Sequence, residues 1–284
     1  MRHAYRQFGP GTLYTVRLLR ALDYLWRHLD EPLLLDRLAE EACFSRFHFH
    51  RLYRNLMGET VMESRQRMLL HRAAGELGRA DRPLASVAVR AGFSSSAAFI
   101  RAFAGRYGET PGRYRQRRLM FLNQRKRTMR QVEIVERDAV KVLMRHHRGP
   151  YMEIGKAFDA LRAVQGPQQG VGAPSRSFGL YLDDQAQTPA ADCRSIACAT
   201  VPAFMEGKAM DGFEWGSIPA GRYAAVLHTG PYSELGECWD WLYRHWLPAS
   251  GEMPGDTPCV EEYLNAPYDT PPAELKTLLL LSLA

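Results

Sequence analysis

Two domains of different class are predicted for this chain of 284 residues. The first is all-α with two helix-turn-helix units, and the second is α+β, built from two β-α-β-β repeats. Three observations predict this. Residues 1–130 hold 25 Lys and Arg against 11 Asp and Glu, whereas residues 131–284 hold 12 against 20. A pattern of short helix, turn and longer helix occurs twice in the basic half. A His-x-Gly-Pro-Tyr block followed by helical spacing occurs twice in the acidic half. A basic half joined to an acidic half reads as two modules with different partners, a polyanion for the first and cations for the second.

Composition narrows the class. A hydrophobic share of 46% with 24% charged residues is ordinary for a soluble globular protein and argues against a disordered, collagen-like or membrane-embedded chain. Five cysteines without any CxxC spacing do not form a disulfide scaffold, so a reducing, cytoplasmic setting is expected. Met1 to Gly11 has no apolar stretch of the kind a signal peptide needs. Apolar runs such as Leu278–Leu281 are far below the ~20 residues of a spanning helix.

Residues 1–15 read as a tail. Leu35, Leu38, Ala39 and Ala42 then share one face of a short helix, which Cys43-Phe44 break. Ser45 stands where an N-cap is favoured. Phe49, Leu52, Tyr53 and Leu56 line the inner face of the next helix, with Arg46, Phe47, His50, Arg51 and Arg54 on the other side and Gly58 as its stop. Val61 to Leu77 reads as a joining helix, ended by a turn over Arg79–Pro83. The grammar then returns, about 49 residues on. Leu84, Val87, Ala88 and Ala91 make the short face, Gly92-Phe93 the turn and Ser94 the cap. Phe99, Ala102, Phe103 and Arg106 line one side of the second long helix, opposite Ala97, Arg101 and Ala104. A short helix, a tight turn and a second helix with a polar outer face is an arrangement that sets one helix into the DNA major groove.

Residues 16–117 resemble the DNA-binding domain of the AraC/XylS family of bacterial transcription regulators. The resemblance rests on Leu38-Ala39-Glu40, Phe44 to Phe49, Gly58-Glu59-Thr60, Ala91 to Ser94, Phe99 to Phe103 and Gly108 to Arg115. It implies that both long helices read successive major grooves. Arg46, Phe47, His50 and Arg51 would face DNA from the first reader, and Ser95, Ser96, Ala97 and Arg101 from the second. Arg51 and Arg101 are the better base readers, because a guanidinium binds guanine O6 and N7 together. Ser96 and Ala97 are small, which implies weaker readout by the second unit or contact with thymine methyls. Arg113, Arg115, Arg117 and Arg118 either meet phosphate or form a solvated basic tail. Residues 118–130 are a basic linker, read either as an extension of the last helix or as a connector, with the boundary near Thr128.

In the acidic half, His147 to Gly155 precedes Phe158-Asp159-Ala160-Leu161. Shifted by 81 residues, His228 to Gly236 precedes Trp239-Asp240-Trp241-Leu242, which points to duplication of one unit. Val140–His146 and Tyr223–His228 read as strands before a Gly-Pro turn, and Tyr151–Val164 and Tyr232–Leu247 as helices. Phe178–Leu182, Cys193–Val201, Val260–Leu264 and Lys276–Leu281 are further strands. The repeats are expected to pack about a pseudo-twofold axis, with helices on one side of the sheet.

Residues 131–284 resemble the GyrI-like (SbmC-like) effector-binding domain, on Gly149-Pro150-Tyr151, Gly179 to Asp184, Ile218 to Ala224, His228 to Tyr232, Glu261 to Pro267 and Thr270 to Leu275. The resemblance implies a cleft between the repeats that takes small organic molecules, often hydrophobic cations. It also gives Glu261 the place of the acidic residue that meets such cations. Independently, a cationic ligand gains from a carboxylate and from aromatic faces. Tyr151, Tyr232, Trp239 and Tyr263 are wall residues or ordinary core, and Trp215 is a further wall candidate. Glu262, next in a β-rich segment, alternates to the opposite face and is expected to be solvated.

The function expected is a sequence-specific, DNA-binding transcription regulator whose second domain binds a small effector. Its partners are promoter double-stranded DNA, that effector and RNA polymerase, with no membrane. No cofactor is expected. No metal site is expected either, since His48 and His50 point to different helix faces and His146 and His147 are adjacent. Two alternatives stand beside this: a hydrolase of reactive small molecules using Glu261 and a nearby Tyr, and an acidic module that binds a DNA-handling protein. The sequence has no GxSxG or other nucleophile signature, so catalysis is not the expectation.

Overall fold

A computed structural model of the protein describes residues 10–78, 82–123, 130–165, 175–202 and 205–284. Among the described residues seven helices form the first domain: α1 (Pro10–Arg27), α2 (Leu35–Glu41), α3 (Arg46–Met57), α4 (Val61–Leu77), α5 (Leu84–Arg90), α6 (Ser96–Tyr107) and α7 (Pro111–Asn123). The expected tail is shorter than residues 1–15, because α1 starts at Pro10 and already buries Thr15 and Leu18.

Local signals explain most boundaries. The Ser45 hydroxyl accepts from the His48 amide at 3.4 Å, and α3 ends on Gly58 in the left-handed conformation at φ 70°. Thr60 and Glu63 close a reciprocal capping box at the start of α4. The cap of α6 is Ser95 rather than Ser94: its hydroxyl accepts from the Ala98 amide at 3.2 Å. Cys43 adopts φ 53° in the first turn, the place that Gly92 fills at 77° in the second. A Cβ is disfavoured there, so the first turn carries strain that the second avoids.

The domain has two cores. Leu18, Leu22, Leu38, Phe49, Tyr53 and Met57 pack the first unit. Leu70, Leu77, Val87, Phe99, Phe103 and Tyr114 pack the second, with the Phe103 and Tyr107 rings stacked 4.3 Å apart. α4 contributes Met68 and Leu69 to one core and Leu70, Ala73 and Ala74 to the other, so it is the beam joining both units.

The second domain runs β1 (Glu133–Arg137), β2 (Val140–Arg148), a 3-10 turn (Tyr151–Glu153), α8 (Gly155–Gln165), β3 (Ser177–Tyr181) and β4 (Arg194–Ala199). It then repeats as β5 (Glu214–Ile218), β6 (Gly221–Thr229), a second 3-10 turn (Tyr232–Glu234), α9 (Leu235–Trp241), a π-helical turn (Leu242–Trp246), α10 (Leu247–Ser250), β7 (Cys259–Tyr263) and β8 (Lys276–Ser282). The β-α-β-β repeats are present, and each is preceded by a strand, β1 or β5, that the sequence reading missed. All eight strands form one sheet in the order β1-β6-β8-β7-β3-β4-β2-β5, with every paired neighbour antiparallel. The order reads the same from either end when the repeats are exchanged, and each leading strand pairs with the other repeat.

The domains share packing. α1 lies against α8, and Ala163 of α8 belongs to the first helical core. The region after residue 117 is no free linker up to Asn123: α7 continues through it, and Arg118 is buried against the second domain. Residues 79–81 of the expected turn and the boundary at Thr128 lie outside the described residues. Among the described residues no helix is long and apolar enough to cross a membrane.

Candidate functional site

Two helix faces and one cleft concentrate the chemistry. On α3 the cap holds the helix start, and Arg46, Phe47 and Arg51 project outward while His50 is partly buried. Phe47 is 63% exposed, and the Arg51 guanidinium lies 4.6 Å from its ring centroid. Arg46 is 3.5 Å from Asp36. On α6, Ser95, Ser96, Ala97 and Arg101 are all exposed, with the Ser95 hydroxyl engaged as the cap. Docking of the second domain covers none of these outward side chains.

The cleft lies where the repeats meet. β3 and β7 pair at the middle of the sheet with Gly179 opposite Glu261. Exchanging the repeats carries Tyr181 onto Tyr263, each two residues beyond that pair, so the pseudo-twofold axis passes between Gly179 and Glu261. Tyr151 and Tyr232 are related in the same way, as are Phe158 and Trp239. Glu261 is only 4% exposed. Its Oε1 accepts from the Trp239 indole N–H and its Oε2 from the Tyr263 hydroxyl, both at 2.8 Å. That hydroxyl in turn accepts from Tyr181 at 2.6 Å. The Tyr263 ring is met edge-on by Phe158 and by Tyr232, each with centroids 5.1 Å away. Tyr151 packs edge-on to Tyr181 at 4.7 Å, and its hydroxyl donates to the Asp183 carbonyl at 2.8 Å.

Burial pushes the Glu261 carboxyl above the usual carboxylate range, a rise only partly offset by its donors Trp239, Tyr263 and Tyr181. Among the described residues Glu261 has no ion pair. A cavity of about 2240 Å³ opens over it and extends to α4 and α6 of the helical domain, where Arg67, His71 and Arg106 form part of the wall. Pockets for drug-sized ligands measure about 300–1,000 Å³, so the space exceeds a single such site. No group of three or more His, Cys, Asp or Glu among the described residues could hold a metal ion.

Comparison with known proteins decides the family. The GyrI-like small molecule binding domain family matches residues 130–284, and a helix-turn-helix domain family matches residues 38–117. The chain belongs to the GyrI-like family. Its first domain is of the AraC type. Regulatory protein SoxS of Salmonella typhimurium is 34% identical over 97 residues, 34% of this chain and 90% of SoxS. The right origin-binding protein of Escherichia coli K12 is 33% identical over 95 residues, 34% of this chain and 33% of that protein. The chain thus spans about a third of the length of the right origin-binding proteins it matches. Among solved structures, the EcmrR–DNA complex in EcmrR-RPo is similar at a TM-score of 0.48 and 19% identity, covering 86% of this chain and 84% of that one. The EcmrR C-terminal domain gives 0.47 at 21% identity, covering 55% and 99%. The assignment rests on the sequence matches.

Within the GyrI-like domain, Glu261, Tyr232, Trp239 and Tyr263 come together, and Tyr151 stands at the edge. Tyr181 and Phe158 were missed as walls, although their repeat partners Tyr263 and Trp239 had been singled out. Trp215 does not line the cleft: it lies on β5 and its indole donates to the Lys208 carbonyl at 3.0 Å. Glu262 is not solvated but buried: its sheet face is packed by Phe178, Leu180, Val260 and Leu280, and Arg137 and Arg176 bind it at 2.5 and 2.8 Å. Arg117 and Arg118 also depart from the phosphate reading. Arg117 bridges Glu109 and Glu234 at 2.8 and 2.7 Å, and Arg118 reaches Glu237 at 2.8 Å.

Proposed function

We propose that this chain is a one-component transcription regulator. Its AraC-type domain reads promoter DNA with α3 and α6, through Arg46, Phe47, His50 and Arg51 on the first and Ser95, Ser96, Ala97 and Arg101 on the second. Its GyrI-like domain binds a small hydrophobic or cationic molecule at Glu261, between walls formed by Tyr151, Tyr232, Trp239 and Tyr263. Ligand binding changes promoter affinity, orientation on DNA or contact with RNA polymerase. Such a regulator works in the cytoplasm, where promoter DNA is.

The observation that carries this reading is Glu261 itself. A carboxylate buried among rings and met only by neutral donors lacks a counter-charge. A hydrophobic cation supplies that charge and gains from the aromatic faces. Both carboxylate oxygens are held by fixed donors, which suits a binding group better than a free acid or base, so turnover is not part of the proposal. The regulatory role is supported by the relative SoxS, named as a regulatory protein.

The test is fluorescence anisotropy of the intact chain on its own upstream DNA and on a scrambled duplex across a salt series, with and without benzyltrimethylammonium. Preference for the upstream duplex that persists as salt rises supports sequence readout. Equal binding to both that vanishes with salt sinks the regulator reading. Failure of the cation to bind, or equal binding by Glu261→Gln, sinks the effector reading.

A further inference from the structure

Where the cavity meets the helical domain, three arginines from three helices line it. Arg67 comes from α4, Arg106 from α6 and Arg162 from α8. Two carboxylates are bonded to them. Glu59 Oε1 accepts from Arg67 and from Arg162 at 2.7 Å, and Asp159 Oδ1 accepts from the same two at 3.2 and 3.3 Å. Arg106 has no carboxylate partner among the described residues, and its guanidinium donates to the Pro267 carbonyl. Asp269 is a further carboxylate of the lining, but it is exposed and its Oδ1 accepts from Thr270 at 2.9 Å.

Arg162 is 7% exposed, and its Nε and Nη1 have no acceptor among the described residues. Its guanidinium lies over the Tyr268 ring, 4.4 Å from the centroid. Buried N–H groups without acceptors are rare, so these two donors remain available to an acceptor from outside the protein. Here they sit beside a positive charge in excess of the directly bonded carboxylates. An oxyanion presents several lone pairs in the geometry a guanidinium fork matches.

We propose that this end of the cavity is an anion-binding subsite for the oxyanion of a carboxylate or phosphate, held by Arg106, Arg162 and Arg67 with Tyr268 as an aromatic wall. The site lies between the domains, two arginines coming from the helical domain and one from the GyrI-like domain. Its occupant therefore bridges them, and it binds only when they are docked. The site shares no residue with Glu261 and its walls and does not depend on the cation reading.

Isothermal titration of the intact chain with phenylbutyrate, its neutral amide and inorganic phosphate tests this. Phenylbutyrate is expected to bind and its amide to bind at least about tenfold more weakly, since a hydrogen bond to a charged group is lost. Arg106→Gln is expected to weaken the acid by about tenfold, whereas the exposed control Arg148→Gln leaves it unchanged. Arg106 is the better variant because Arg162→Met removes a buried partner of Glu59 and threatens the fold. Phosphate binding with the same Arg106 dependence, without phenylbutyrate binding, supports the site with a free anion as its occupant. Equal affinity for acid and amide, or anion binding indifferent to Arg106→Gln as expected of an ion on the reader faces, overturns it.

Discussion

Replacing Glu59 by Gln removes the carboxylate at the centre of the contact between the domains. Glu59 is buried and accepts from Arg67 through both oxygens and from Arg162 of the other domain through Oε1. Burial alone would raise its pKa, but the bonds and charges of Arg67 and then Arg162 outweigh it and hold the carboxyl at about 2, against an ordinary 4.5. That difference is worth about 3 kcal/mol of folding stability at neutral pH. Breaking one partner out of a buried ion cluster costs about 3–5 kcal/mol, so the two routes agree. The sign follows from the lowered value: the contribution is complete above the unfolded pKa and is lost as pH falls towards about 2. Urea unfolding of the intact chain by circular dichroism should show the midpoint falling by roughly 1 M in Glu59→Gln. Its stability should also depend less on acid than the wild type's. Glu63→Gln, which removes half of an exposed capping box, should cost only about 1 kcal/mol. A loss in Glu59→Gln no larger than in Glu63→Gln would refute the reasoning.

Three further outcomes follow from the geometry. The raised pKa of Glu261 means its contribution to stability is present at low pH and is lost as pH rises through the folded value, so Glu261→Gln should flatten that fall in a melting series; an unchanged slope contradicts the assignment. Arg51→Ala and Arg101→Ala should each cost about 1–3 kcal/mol on the preferred duplex and relax specificity at one base pair, measured by anisotropy against a panel of variant sites; equal losses on every site would make them phosphate contacts. A Cβ at Gly179 would fall 2.9 Å from both the Tyr181 ring and the Tyr263 hydroxyl, so Gly179→Ala should cost about 1–3 kcal/mol and weaken cation binding, while a calorimetric titration matching wild type would show the hydroxyl pair has room to move.

What the sequence made legible was local. Val61–Leu77 was read to the residue because its apolar period, the Thr60 cap and the following breaker all act within a few positions. The Gly-Pro-Tyr repeat exposed the duplication in the same way. β1 and β5 escaped because they are short, half-exposed strands whose partners lie in the other repeat, so neither shows strict alternation. Ser94-Ser95-Ser96 offers three caps in a row, and only the helix phase selects the second. The face of Glu262 was assigned correctly as opposite to Glu261, but its burial depends on Arg137 and Arg176, distant in sequence. Arg117 and Arg118 read as phosphate ligands or a solvated tail for the same reason: the second-domain carboxylates that bind them, Glu234 and Glu237, lie more than a hundred residues away.

The docking of the domains repeats a single device. In each helix-turn-helix unit the Gly-Glu-Thr glutamate binds an arginine on the next helix, Glu59 with Arg67 and Glu109 with Arg117. Each arginine also reaches one repeat of the GyrI-like domain, Arg67 at Asp159 and Arg117 at Glu234. Duplicated readers are thereby tied to duplicated sensors, with α4 between them. On that helix Gly75 lies against Met152, and the His71 ring meets Tyr232 at 6.1 Å; Tyr232 in turn packs on Tyr263, which holds Glu261. Burial and then the charge of Arg67 hold His71 at about 4, so it is neutral and acts here by packing. On the proposed reading, an effector that moves Tyr232 would push on α4, the helix that joins the two units. Coupling of this kind is reciprocal and typically amounts to about 5–150-fold in affinity. His71→Ala should bring that factor towards one, measured as the ratio of DNA affinities with and without saturating cation. A ratio equal to wild type's would move the coupling off the His71–Tyr232 contact and onto the two arginine bridges.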